Sequence, residues 1–310
     1  MNLAFGPVNS RRLGSSLGVN NIPYKHCTYS CVYCQLGKTR RPTIKRRAFY
    51  DPKLIIESVR NLARPSINID YITFVPDGEP TLDSKLGLEI EMLRENFSKP
   101  IAVLTNSSLL WMKTVREDLE QADLVSLKID AAVVDVWRKL NRPHKSLSLD
   151  RVVNGIMEFA SSYRGILITE TMLVRGLNDS QENLELVAEL IAELRPKKAY
   201  ISIPVRPPTE KWVKPPSEAT LLKAYDILTE KARIEIELLT SIEPPPRTTP
   251  DNPLDYILAT TTVHPLKLDY ALEVLEKHYS KPQEKIEELK IKGLIKIVEH
   301  EGQKFVMRKL

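Results

Sequence analysis

The sequence predicts an α/β protein: a partial (β/α)6 barrel with a small carboxy-terminal winged-helix-like domain. Three observations carry that expectation. Amphipathic stretches of helical length alternate with short β-branched runs, the pattern of βα units around a parallel sheet. Six such units cannot close an eight-unit barrel, but they can make a curved, open one. A proline-rich stretch then separates this rhythm from a final segment of different periodicity.

The elements follow in order. A first strand is expected near Ser15 to Ile22, just before a loop that carries every cysteine. Helix-like 51–63 leads to strand-like 69–75, helix-like 82–96, strand-like 101–105 and helix-like 108–121. Strand-like 123–129 precedes helices within 131–140 and 148–162, then strand 166–174, helix 180–194 and strand 199–205. A helix at 217–233 and a strand over 233–239 extend the same layer.

Residues 241–253 hold Pro244, Pro245, Pro246, Pro250 and Pro253, which resist helix and favour a stiff linker. The chain thus divides into a barrel domain over 1–240, a linker over 241–253 and a winged-helix-like domain over 254–310. Helices within 254–261, 266–279 and 282–293 are followed there by two strands turning at Glu301-Gly302.

Composition narrows the class. Hydrophobic residues at 42% and charged residues at 27% suit a packed core and exclude wholesale disorder. No apolar run approaches the roughly 18 residues of a spanning helix, and the amino terminus lacks a signal-peptide core. A soluble, cytoplasmic protein without membrane contact is expected. A net charge of +5 is modest, but Lys38, Arg40, Arg41, Lys45, Arg46 and Arg47 form a run without an acidic residue, suited to phosphates or another anion.

The 3 cysteines, Cys27, Cys31 and Cys34, are too few and too close for a disulfide framework. Their C-x3-C-x2-C spacing lets one loop wrap an iron–sulfur cluster while leaving one iron without a protein ligand. The competing reading is a zinc site, whose fourth ligand would have to come from His26, His144, His264, His278, His300 or a carboxylate. His26 adjoins Cys27, an awkward geometry for a single tetrahedral ion.

At these residues the segment KHCTYSCVYC resembles the C-x3-C-x-aromatic-C signature of the radical S-adenosylmethionine (SAM) superfamily, with Tyr33 at the aromatic position. The resemblance implies a catalytic [4Fe-4S] cluster on Cys27, Cys31 and Cys34, SAM as cofactor on the open iron, and Tyr33 beside the SAM adenine. Asp77-Gly78-Glu79-Pro80-Thr81, after the second strand, is similar to the family's GGEP motif with Asp77 in place of the first glycine. It implies that Asp77, Gly78, Glu79 and Pro80 line the methionine amino group. Thr105-Asn106-Ser107 resembles the family's TNG turn and makes Asn106 a further contact. Ser126, Lys128 and Asp130 alternate on one strand face, where Ser126 or Asp130 suits the ribose and Lys128 the carboxylate of SAM. Val174 to Asp179 resembles a V-x-G-x-ND segment of the superfamily, with Asn178 a cofactor candidate and Asp179 the expected helix cap.

Residues 6–20 and Pro204-Val205-Arg206-Pro207-Pro208 further resemble a group of radical SAM proteins related to the wyosine tRNA synthase, over about 6–240. That synthase carries extra amino-terminal cysteines, which this chain lacks, so a single-cluster enzyme is expected. The implied reaction is reductive SAM cleavage to a 5′-deoxyadenosyl radical, driven by an external donor such as ferredoxin or flavodoxin. Residues 281–310 carry eight basic against five acidic side chains, and winged helices often touch nucleic acid. With the 38–47 run, RNA, tRNA included, becomes the expected substrate, and Arg11, Arg12, Lys45, Arg46, Arg47 and Arg206 the candidate anion contacts. A protein or phosphorylated metabolite is the alternative substrate. A noncatalytic zinc-bearing nucleic-acid adaptor is the alternative of another class. The oligomeric state is open.

Overall fold

The computed structural model describes residues 3–64, 67–242, 252–263 and 265–309. Residues 243–251, most of the expected linker, and His264 lie outside the described residues. Eight strands form one curled sheet in sequence order, β1 (Ala4–Ser10), β2 (Gly14–Val19), β3 (Tyr71–Phe74), β4 (Ile101–Thr105), β5 (Leu124–Lys128), β6 (Ile166–Met172), β7 (Lys198–Ser202) and β8 (Ile236–Leu239). From β2 to β8 every neighbouring pair is parallel, the half-barrel that the βα rhythm implies. Only β1 runs antiparallel, as a hairpin with β2.

That hairpin strand is an addition to the expected elements. Gly6-Pro7 reads as a turn, yet both sit inside β1, where an edge position tolerates a residue without an N–H. The register slips between Phe5 and Val8, and Gly6 has φ +104°. A Cβ there would lie 2.9 Å from the Val8 nitrogen, so the bulge needs glycine.

Helices α1 (Pro52–Leu62), α2 (Leu86–Asn96), α3 (Lys113–Leu119), α4 (Val134–Asn141), α5 (Leu149–Ser162), α6 (Gln181–Leu194) and α7 (Glu218–Ala232) belong to the barrel region. Their apolar faces supply Ile55, Ile90, Val115, Ile156, Ile191 and Leu228 to its core. α2 starts later than expected because Pro80–Leu82 form a short 3-10 turn. α3 is trimmed likewise, since residues 107–112 close turns of their own.

The inward side chains change character along the strands. At one level Ala102, Leu124, Ile168 and Tyr200 pack with Leu13 and Leu239 into an apolar plug. Two residues further along β5 and β6 come Ser126 and Glu170, then Lys128 and Met172, all lining a cavity of about 370 Å³ at the carboxyl ends of the strands. At one end the sheet's edges are tied: the Arg11 guanidinium donates to the Leu239 and Ser241 carbonyls, 2.9 and 2.8 Å away.

The carboxy-terminal module comprises α8 (Pro253–Val263), β9 (Leu266–Lys267), α9 (Leu268–Glu276), α10 (Pro282–Ile291), β10 (Ile295–His300) and β11 (Gln303–Arg308). Residues 266–267, expected as helix, instead pair with β11, giving a small separate sheet in the order β10-β11-β9. The hairpin turns where expected, with Glu301 and Gly302 both at positive φ. A core of its own gathers Ile257, Leu275, Ile286, Leu289, Ile295 and Val306. No helix among the described residues is long and apolar enough to cross a membrane.

Candidate active site

The cysteine loop follows β2 and is stitched to its surroundings by backbone hydrogen bonds. Lys25 N–H donates to the Asp77 carbonyl, Glu79 N–H to that of His26, Val32 N–H to that of Leu140 and His144 N–H to that of Thr28, all at 2.9–3.0 Å. Gly78 explains part of this fit: a Cβ there would lie 1.8 Å from the His26 carbonyl oxygen, so the strap after β3 can press on the loop only with glycine.

Cys27, Cys31 and Cys34 all line the cavity, and each accepts a hydrogen bond from a different residue. Asn106 Nδ2 lies 3.5 Å from Cys27 Sγ, Asn141 Nδ2 3.5 Å from Cys31 Sγ and Lys25 Nζ 3.1 Å from Cys34 Sγ. Burial pushes the Cys27 thiol up to about 11 and Cys31 up to about 12, so loading the cluster must displace protons. Burial opposes the charge on Lys25, yet the nearby sulfurs raise its pKa overall.

The Asp77–Pro80 strap divides by role. Asp77 is buried, with Oδ2 accepting from Asn20 Nδ2 at 2.9 Å and Oδ1 without a hydrogen-bond partner. Burial drives its carboxyl up to about 7, against the Asn20 hydrogen bond and the Lys25 charge. Gly78 and Glu79 line the cavity and Asp77 does not, so the structure does not bring the Asp77 carboxylate to the space expected for the methionine amino group. Glu79 lines the cavity but also braces it. Its Oε1 accepts from the Thr81 and Thr105 hydroxyls, each at 2.6 Å, and its Oε2 accepts from Asn106 N–H at 2.8 Å. Burial raises its pKa, and those three donors, with Thr81 N–H as a fourth, pull it back. Pro80 opens the 3-10 turn and does not line the cavity.

Asn106 reaches Thr28 Oγ1 at 2.8 Å as well as Cys27. The next residue, Ser107, has φ 68°, which is why the similar motif carries glycine there. On β5, Ser126 and Lys128 face the cavity as expected. Lys128 Nζ lies 2.9 Å from Glu170 Oε1 and 5.2 Å from the Tyr33 ring centre. Burial lowers its pKa, against the pull of Asp130. Asp130 is spent on structure, accepting from the Tyr33 hydroxyl, Asn141 Nδ2 at 2.8 Å and Met172 N–H at 2.8 Å. Tyr33 still presents its ring to the cavity.

Asn178 is fully buried and does not line the cavity. Its amide donates to the Asp130 and Met172 carbonyls at 2.8 Å and accepts from Val174 N–H at 2.8 Å, clasping the ends of β5 and β6. Asp179 is not the helix cap: Ser180 caps α6, and Asp179 accepts from Gly176 N–H. Of the candidate anion contacts, Arg11, Arg12 and Arg206 line the cavity, with Arg12 paired to Glu170. Arg46 is committed elsewhere, bonding the Thr81 and Asp83 carbonyls and the Asp118 carboxylate. Arg47 meets His26 Nε2 at 2.9 Å and stacks on Phe49, and Lys45 is exposed outside the cavity. Glu170, Asn141, Asn20 and Lys25 are site residues that no motif announced.

The carboxy-terminal module roofs the same cavity with Tyr256, Val263, Leu266, Lys267 and Tyr270. Its α8 lies against β1 of the barrel, and polar contacts include Gln35 Nε2 to the Val263 carbonyl at 3.4 Å, His300 Nε2 near the Pro204 carbonyl at 3.5 Å, and a Lys214–Glu301 ion pair at 2.7 Å.

Comparison with known proteins agrees with this geometry. A UPF0026 protein of Methanocaldococcus jannaschii is 44% identical over all of this chain and 97% of its own length. A UPF0026 protein of Helicobacter pylori is 34% identical over 71% of this chain and 72% of its own. Among solved structures, a radical SAM methyltransferase from Sphaerobacter thermophilus shares the fold with TM-score 0.57 at 16% identity, covering 73% of this chain and 67% of that one. SuiB of Streptococcus suis, solved with S-adenosylmethionine bound, does so with TM-score 0.50 at 14% identity, over 71% and 49%. Residues 21–195, which begin just ahead of the cysteine loop and end after α6, match the radical SAM superfamily. That family uses a [4Fe-4S] cluster and SAM, the first of which three cavity-lining thiols are suited to hold, and the chain belongs to it.

Proposed function

We propose that this chain cleaves SAM reductively and uses the resulting radical on an RNA substrate. When bound on Cys27, Cys31 and Cys34, the [4Fe-4S] cluster supplies one electron that breaks a carbon–sulfur bond of SAM, giving methionine and a 5′-deoxyadenosyl radical. The residues around it bind and orient. Gly78 and Glu79 bring the strap to the cavity wall, Glu79 fixes it against the Asn106 turn, and Tyr33 faces the cavity where the adenine would lie. Lys128, held between Glu170 and Asp130, presents a cation near the cofactor's carboxylate.

One observation supports the substrate class: Arg11, Arg12, Lys128, Arg206 and Lys267 line the cavity against two carboxylates, Glu79 and Glu170. Exposed Lys38, Arg40, Arg41 and Lys45 extend the positive surface beyond the cysteine loop, where a polyanion would find them. A phosphorylated metabolite is favoured instead by the roof over a cavity of about 370 Å³, which suits a small ligand. Anaerobic reconstitution with iron, sulfide, SAM and reductant should yield 5′-deoxyadenosine. Nucleoside analysis of RNA from cells with and without the gene should then show one modification missing. An unchanged nucleoside profile would move the substrate to the metabolite class.

A further inference from the structure

The geometry points to Lys25 as the residue that sets the electron affinity of the cluster, by placing a positive charge on the Cys34 sulfur. This inference rests on the cluster assignment above and adds to it a role that the motifs do not announce.

Asn106, Asn141 and Lys25 each donate to a different thiol, and the Tyr33 hydroxyl also lies against Cys31. Asn106 and Asn141 approach Cys27 and Cys31 at 3.5 Å, both as neutral amides. Lys25 differs in kind, because its ammonium lies 3.1 Å from Cys34 Sγ, closer than either amide and charged. The backbone shows that this placement is held against a local preference. His26 N–H closes a turn on the Pro23 carbonyl at 3.1 Å, and Lys25 occupies its third position with φ 58°. Glycine or asparagine is the usual choice there, since a side chain at positive φ costs about 1 kcal/mol or more. The turn is pinned from the other side by Lys25 N–H to the Asp77 carbonyl at 2.9 Å.

Reduction adds one electron, from an external one-electron donor, to a group already surrounded by thiolates. A fixed cation in a partly buried site stabilises the reduced form more than the oxidised one. Hydrogen bonds to the sulfurs act in the same direction, so the three donors add, with Lys25 the strongest. The ammonium therefore makes the cluster easier to reduce without touching SAM or substrate.

The test is a midpoint potential, read by electron paramagnetic resonance on the full chain reconstituted anaerobically with iron and sulfide and titrated with dithionite. A wild-type chain that forms no cluster would defeat the proposed function itself, and the Lys25 variants are compared only after that baseline stands. Lys25→Met should lower the reduced-to-oxidised ratio at a fixed poise about tenfold, which is about 59 mV for one electron, while Lys25→Arg should stay within about threefold of the parent. A Lys25→Met midpoint equal to the parent's at full iron content overturns the inference. So does an equal midpoint accompanied by weaker SAM binding, which assigns the ammonium to the cofactor's carboxylate instead. An arginine variant that falls as far as the methionine one also overturns it, because charge is then not the cause. Should Lys25→Met fail to load iron, Lys25→Gln, which keeps an N–H donor and loses the charge, decides by the same criterion.

Discussion

The floor and the roof of the cavity are built differently. On the floor, the cysteine loop, the Asp77–Thr81 strap and the Asn106 turn are locked by buried hydrogen bonds, with Glu79 alone accepting four. The roof has its own apolar core and meets the barrel where α8 lies against β1, with a long amide contact, a long histidine contact and an exposed ion pair beside it. Rigid preorganisation suits an invariant cofactor, which gains nothing from adjustment. A cover with a core of its own suits a substrate that must enter and leave.

The largest test breaks the floor outright. Cys31→Ala should abolish cluster assembly and 5′-deoxyadenosine formation together, read by iron and sulfide content and product analysis. Retained product would remove the floor's assigned purpose. Attacking the roof should do the opposite: Leu275→Ala, in the module's fully buried core, should cost that module about 2–5 kcal/mol while leaving cluster content intact. Loss of the cluster in that variant would show that floor and roof fold as one unit.

A pH test addresses the strap. Because burial raises the Asp77 carboxyl to about 7 in the folded chain, the native state holds a proton there that the unfolded chain releases near its ordinary value of 3.8. Stability of the cofactor-free protein should therefore fall by on the order of a few kcal/mol as pH rises from about 4 to 7, then level off. Asp77→Asn should flatten that slope in thermal melts, and a slope unchanged by the substitution would place the titration elsewhere. Smaller again, Glu79→Gln leaves Asn106 N–H or a threonine hydroxyl facing an amide N–H. A cost of about 1–3 kcal/mol should weaken SAM binding about tenfold with the cluster spared. Smallest is Glu301→Gln at the exposed Lys214 pair, expected to shift stability by less than about 1 kcal/mol. A larger shift would mean that the roof is fastened more firmly than its contacts suggest.

What the sequence made legible was contiguous in the chain. The three cysteines and Asp77-Gly78-Glu79-Pro80 act as short segments, so their order and spacing carry their chemistry. The βα rhythm was legible for the same reason, since each apolar run or stripe repeats locally. Glu170 was not: a lone acid in β6 gains meaning only when parallel register sets it beside Lys128. Arg46 shows the converse. Its charge was visible within the basic run, while Asp118, its partner on α3, stands 72 residues away. β1 escaped notice because a bulge at Gly6 and an edge proline look like a turn until a neighbouring strand is present.

The apolar plug of Leu13, Ala102, Leu124, Ile168, Tyr200 and Leu239 has a bearing beyond packing. It acts as a depth stop. A ligand entering the half-barrel would meet the plug where Glu170 gives way to Ile168. Its height works as a ruler, and trimming Ile168 or Leu124 would recalibrate it without altering a single polar contact at the rim.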